Sequence, residues 1–222
     1  MRQLNTALFD LDGTLLDTLG DLADSVNYVL SRFSFERRTD EEVKAFIGNG
    51  IPALLRRALP PGSSREVCDK AIEYFKAYYR THMKNRTRPY EGVVETLRAL
   101  KKAGFKIGVV SNKSDDAVRE LCSHFLGGLV DSALGSTAED TRKPSPKMVY
   151  DSLKILKSDA ESAVFVGDSD TDIQTAKNAG IRIICVGWGY RSPEFLREHG
   201  AEKIAATPLE LLALLTKHLH SV

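Results

Sequence analysis

The sequence predicts an α/β fold, a parallel doubly wound sheet whose first strand is followed by a helical insert. From Arg88 onward, short apolar runs alternate with amphipathic helical stretches, the pattern of strands covered on both faces by crossover helices. Between Leu16 and Arg88 no strand-like run appears and helical periodicity dominates. Polar clusters follow several of the apolar runs, and in such sheets the carboxyl ends of strands converge on one crevice where ligands bind.

Taken in order, residues 4–9 form a short buried strand with Leu4, Ala7, Leu8 and Phe9, and Gly13 stops it. Helical patterns then cover 17–32, 40–46, 51–58 and 65–82, with Pro60 to Ser64 as a loop. Tyr74, Phe75, Tyr78 and Tyr79 recur at helical spacing and read as the core of this insert. Further on, a helix over 92–103 precedes a strand over 105–110, a helix over 115–125 and a short strand over 130–134. A helix over 146–156 has Pro146 near its first turn. The strand over 163–166 leads to a helix over 171–179 that ends at Gly180. A strand over 181–186 and a leucine-rich helix over 208–217 close the chain. The boundaries follow: residues 1–15 and 89–222 form the α/β core, and residues 16–88 the insert. The same texture also fits a helical face of one continuous domain.

Composition narrows the classes. The chain has 222 residues, 42% of them hydrophobic and 27% charged, which suits a substantial core under a polar surface. Thirty-one Lys and Arg against 30 Asp and Glu give a net charge of +1, with no bias toward nucleic acid or an acidic membrane surface. No run approaches membrane-spanning length, and no signal-peptide pattern opens the chain. Cys68, Cys122 and Cys185 lack metal-ligand spacing and read as buried reduced thiols of a cytoplasmic protein.

Asp10 and Asp12 stand one residue apart at the end of the first apolar run. Two acids at the mouth of a buried sheet lose solvation and repel each other, and a hard cation such as Mg²⁺ relieves both. Alone, Asp-x-Asp-Gly also fits a solvated turn after a strand. Three further clusters follow apolar runs: Ser111-Asn112-Lys113, then Arg142-Lys143-Pro144-Ser145-Pro146, then Gly167-Asp168-Ser169-Asp170-Thr171-Asp172. A hydroxyl, a lysine and a second acidic group added to the first pair make a phosphate-plus-metal site. The last cluster is not a calcium loop of the EF-hand kind, because Ile173 and Ala179 occupy the positions that need Gly and Glu. Asp168 is expected to bind metal directly, Asp172 to bind it through water, and Asp170 to cap the helix. Gly187-Trp188-Gly189 lacks the third glycine of a dinucleotide fingerprint.

In this order the four clusters, read from Asp10 to Asp172, resemble the four motifs of the haloacid dehalogenase superfamily. The resemblance covers nearly the whole chain. Within the superfamily the chain looks most like the phosphoglycolate phosphatase group, through Gly48-Asn49-Gly50, Pro89-Tyr90-Glu91-Gly92-Val93 and Gly187-Trp188-Gly189-Tyr190.

The resemblance implies a Rossmann-like core with an inserted α-helical cap, and a Mg²⁺-dependent phosphomonoester hydrolase working through an aspartyl-phosphate. Asp10 is then the nucleophile and Asp12 the general acid/base, as phosphate ester chemistry asks. Thr14, Ser111, Asn112 and Lys143 form the phosphate-binding set, and Asp10, Asp12, Asp168 and Asp172 the metal set, Asp12 through its backbone carbonyl. Gly48, Asn49 and Gly50 are expected in a cap loop that reads the leaving group, although an ordinary helix-connecting turn has the same composition. The expected partner is a small phosphate ester, with 2-phosphoglycolate first, and the expected state a monomer or homodimer. A phosphomutase or pyrophosphatase of the same superfamily, or a non-catalytic phosphate-binding regulator, are the alternatives.

Overall fold

Strand β1 (Thr6–Phe9) is buried at all four residues because it has a parallel neighbour on each side. One is β4 (Lys106–Ser114), with Phe9 opposite Val109; the other is β6 (Ala163–Gly167), with Phe9 opposite Val166. The computed structural model describes residues 4–48 and 50–217. Its main sheet has six strands in the order β5-β4-β1-β6-β7-β8, all paired in parallel. The outer members are β5 (Ser132–Ser136), β7 (Arg182–Val186) and β8 (Ile204–Ala205). Two further short strands, β2 (Leu16–Asp17) and β3 (Arg88–Pro89), pair as a separate ribbon.

The protein divides into two compact units, Met1–Leu16 with Pro89–Val222, and Asp17–Arg88. The helical unit holds α1 (Leu19–Arg32), α2 (Asp40–Phe46), α3 (Gly50–Ala58) and α4 (Arg65–His82). Thr39 and Glu42 close a reciprocal cap at the start of α2, and Ser64 caps α4. Leu22, Val26, Val29, Leu55, Phe75 and Tyr79 are buried here. Tyr74 and Tyr78 are only half-buried, contrary to the four-aromatic core read from periodicity; Tyr78 stacks between Tyr28 and His82, with centroids 4.2 and 3.8 Å away. A four-residue stripe is wider than the face α4 turns inward.

In the α/β unit, α5 (Val93–Lys102), α6 (Asp115–Leu121), α7 (Lys147–Leu156), α8 (Asp170–Ala179), α9 (Pro193–Glu198) and α10 (Pro208–Thr216) flank the sheet. Leu8, Val110, Met148, Val149, Leu153, Phe165 and Ala176 form one buried cluster joining α7 and α8 to the strands. A fully buried Phe or Leu contributes about 1.5–3 kcal/mol, so these rows anchor the strand ends rigidly.

Several boundaries differ from the sequence reading. Asp17 lies in β2, and α1 begins only at Leu19. β4 continues through Ser111, Asn112 and Lys113 because β5 supplies a ladder there, with a register shift between Ser111 and Ser114. Apolar periodicity stops at Val110, so the polar extension left no mark in the pattern. α9 and β8 were not expected, although Ser192 before Pro193 is a good helix-start signal. Cys68 is half-buried, whereas Cys122 and Cys185 are buried as expected. Among the described residues no helix is long and apolar enough to cross a membrane.

Candidate active site

The parallel register brings the polar clusters to one end of the sheet. Asp10 follows Phe9, and its N–H donates to Val166 O at 2.9 Å, which ties it to the exit of β6 just before Asp168. Ser111 lies two residues beyond Val109 on the other side, and it is buried. Carboxylate oxygens of Asp10, Asp168 and Asp172 all lie within 4.8 Å of one another.

Lys143 stands among them. Its Nζ is 2.8 Å from Asp10 Oδ1 and 2.7 Å from Asp172 Oδ1, and the residue is 3% exposed. Burial works against the Lys143 charge, but Asp10 and Asp172 outweigh it and hold the ammonium above its ordinary range. Burial pushes the Asp10 carboxyl up to about 8; Lys143 opposes this, while Asp172 and Asp168 reinforce it. Burial also pushes Asp168 up to about 7, with Asp172 adding to the effect. With all groups ionised, three carboxylates face one ammonium, which leaves two negative charges uncompensated. The donors are hard oxygens. Burial pushes the nearby Cys185 thiol up to about 12, so it is no rival ligand.

Local hydrogen bonds aim these groups. Asp10 Oδ1 accepts from the N–H of Leu11 at 2.7 Å. Gly13 has φ +83°, and a Cβ there would collide with Asp168 Oδ2 and the Tyr190 ring, so both backbone shape and close approach require glycine. Asp172 is fully buried at the third position of α8, where its Oδ2 accepts from Ser169 Oγ at 2.6 Å and from the N–H groups of Asp168 and Ser169. Ser169, not Asp170, is therefore the cap of α8; Ser-x-x-Asp is a capping-box spacing that the sequence offered. Asp170 is the first residue of the helix.

Three further residues have partners within the protein besides the roles the resemblance implies. The Thr14 hydroxyl donates to Asp168 Oδ1 at 3.0 Å and so orients that carboxylate. The Asn112 amide brackets the backbone of Lys143, accepting from its N–H at 2.6 Å and donating to its C=O at 3.1 Å. It thereby holds the Lys143 loop. Asp12 lies outside the acidic triad, and its Oδ1 is 3.0 Å from Lys143's counterpart on β4, Lys113 Nζ, whose side chain is 6% exposed. Lys113 was not singled out from sequence. Its place in Ser-Asn-Lys directly after an apolar strand was the available signal.

Gly48 and Gly50 belong to the helical unit, both with positive φ (+121° and +80°), and Arg57 Nη1 donates to Phe46 O at 2.7 Å beside them. Asn49 lies outside the described residues.

The family model for haloacid dehalogenase-like hydrolases matches residues 7–186. The chain belongs to that family. It is similar to the phosphoglycolate phosphatase of Aquifex aeolicus, 33% identical over 97% of this chain and 99% of the relative. The phosphoglycolate phosphatase of Haemophilus influenzae is also 33% identical, over 93% and 96%. A crystal structure of a protein from Lactobacillus delbrueckii subsp. bulgaricus superposes with a TM-score of 0.92 at 33% identity, covering 96% of this chain and 99% of that one. With these relatives, the haloacid dehalogenase-like chain is a phosphatase.

Proposed function

We propose that the protein is a cytosolic, Mg²⁺-dependent phosphomonoester hydrolase that acts on a small metabolite, 2-phosphoglycolate first, through an aspartyl-phosphate on Asp10. The observation that carries this is the charge balance: three buried aspartates surround one buried lysine at the strand ends. Asp10, Asp168 and Asp172, with the Asp12 carbonyl, are the residues that would hold Mg²⁺. Its contribution when bound is to neutralise charge on the phosphoryl oxygens.

In the first step, an Asp10 carboxylate oxygen attacks phosphorus and the ester P–O bond breaks. Asp12 gives its proton to the leaving alkoxide. In the second, water attacks the acyl phosphate, Asp12 takes back a proton, and the bond to Asp10 breaks to release inorganic phosphate. Lys143 holds Asp10 and offsets charge on the transferring group, and Ser111 supplies a hydroxyl. Asn112 and Thr14 support this set by fixing Lys143 and Asp168.

The names of the Aquifex and Haemophilus relatives, matched over nearly their whole length, support 2-phosphoglycolate as substrate. The helical unit, with the Gly48 to Gly50 turn, is assigned substrate selection as a cap. Three free cysteines support a reducing compartment. The test compares kcat/KM for 2-phosphoglycolate, pyrophosphate and hexose phosphates at one Mg²⁺ concentration. Another substrate leading tenfold, about 1.4 kcal/mol of transition-state preference, overturns the substrate. Sugar-phosphate isomerisation without phosphate release overturns hydrolysis.

A further inference from the structure

The segment Gly187-Trp188-Gly189-Tyr190, which leaves β7, has no part in the chemistry above, yet it is built against Asp168. Tyr190 N–H donates to Asp168 Oδ2 at 2.8 Å. Trp188 Nε1 donates to Thr14 O at 3.0 Å, and the Thr14 hydroxyl in turn donates to Asp168 Oδ1. These hydrogen bonds close a ring: from Asp168 to Thr14, across to Trp188, along the chain to Tyr190 and back. Each oxygen of Asp168 is gripped from a different segment, and the indole ties the two segments together. Gly189 sits inside the ring. A Cβ there would overlap Asp168 Cβ, Asp168 Oδ2 and Gly13 O, so no side chain fits while the ring is closed.

We propose that Trp188 and Gly189 are positioning residues that fix the orientation of the Asp168 carboxylate for a divalent cation. This rests on the assignment of Asp168 as a metal ligand. Groups that orient a ligand typically contribute 10–100-fold to metal affinity. A carboxylate held at both oxygens keeps its remaining lone pairs aimed at one point, whereas a free one loses rotamer entropy on binding.

The experiment is calorimetric titration of metal-free protein with Mg²⁺ and Mn²⁺, in wild type, Trp188→Phe, Gly189→Ala and Asp168→Asn. Trp188→Phe keeps an aromatic ring, with less area, and removes the N–H, so it is the milder of the two variants and is expected to fold even if Gly189→Ala does not. Gly189→Ala is expected to weaken Mn²⁺ binding at least tenfold and Trp188→Phe severalfold, with phosphatase activity recovering as metal is raised. Trp188 is the only tryptophan in the chain, so in wild type its fluorescence should shift on metal addition without any turnover. Wild-type affinity in Trp188→Phe, and in Gly189→Ala if that variant folds, overturns the positioning role while leaving the metal site standing. Equal metal binding by wild type and Asp168→Asn instead overturns the ligand assignment, and the positioning role with it.

Discussion

Asp21 in the helical unit and Asp168 in the α/β unit are buried to the same degree, 1% and 2% exposed, but they meet different surroundings. Asp21 accepts from the backbone N–H of Arg86 through Oδ1 and of Thr87 through Oδ2, both at 2.9 Å. Those donors belong to the chain's own scaffold, so the carboxylate clasps the exit of α4 onto α1. Asp168 also accepts two hydrogen bonds, yet it shares its space with Asp10 and Asp172. Burial alone therefore does not mark a functional acid. Mutual repulsion among buried acids does, because fixed N–H dipoles compensate one charge and a cluster needs a mobile cation or protons.

The contrast is broken most severely at Asp10. Asp10→Asn is expected to abolish turnover with an unchanged circular dichroism spectrum, since an amide is nearly isosteric but a poor nucleophile. Clear residual activity in rigorously purified variant would place the nucleophile elsewhere. Asp12, paired with Lys113 outside the triad, should matter less: Asp12→Ala is expected to cost about 10²–10⁴-fold on an alkyl phosphate. The loss should shrink on an aryl phosphate whose leaving group needs no proton. Equal losses on both would remove Asp12 from the acid role.

The triad also sharpens the comparison through pH. The folded-state values of Asp10 and Asp168, about 8 and about 7, lie above those of an unfolded carboxyl. The metal-free native state thus binds protons more tightly than the unfolded chain, and its stability falls as pH rises through the folded values. Lys143, held above its ordinary range, contributes fully across this window. Metal-free protein should show a Tm that declines from about pH 5.5 to 8.5, and saturating Mg²⁺ should flatten the decline by replacing the protons. A flat metal-free profile would contradict the clustered-acid account. The smallest effect is at the clasp. Asp21→Asn leaves one of two buried N–H groups without its acceptor, about 1–3 kcal/mol, or roughly 2–4 °C of Tm per kcal/mol in a chain of this size. kcat per folded molecule should not change.

Much of the site was legible because its residues sit at strand ends, where an apolar run stops at a polar cluster. Asp10, Ser111 and Asp168 were singled out that way, whereas Lys143, well past the end of β5, stood out only through its place in the order of the motifs. Asp172 was found too, but as a water-mediated ligand one turn along a helix. Its position as a helix-capping acid bound to Lys143 needed the Ser169 spacing to be read as well. The ion pair of Lys113 and the hydrogen bonds of Asn112 and Thr14 were out of reach, since each depends on a partner far along the chain: Asp12, Lys143 and Asp168.

By itself the sequence determined the main strands and helices, though not β2, β3, β8 or α9, because side-chain periodicity, caps and turn residues act over a few positions. It also determined that carboxylates, a hydroxyl and a lysine stand in polar clusters that follow apolar runs. Tertiary structure alone decided which of them meet. The order β4-β1-β6 sets Asp10 between the exits of two strands that are distant in sequence. The loops then choose among several polar partners of similar local chemistry. Hydrogen bonds and ion pairs need partners within about 3 Å, in a set direction, and only the packed sheet fixes distances that fine.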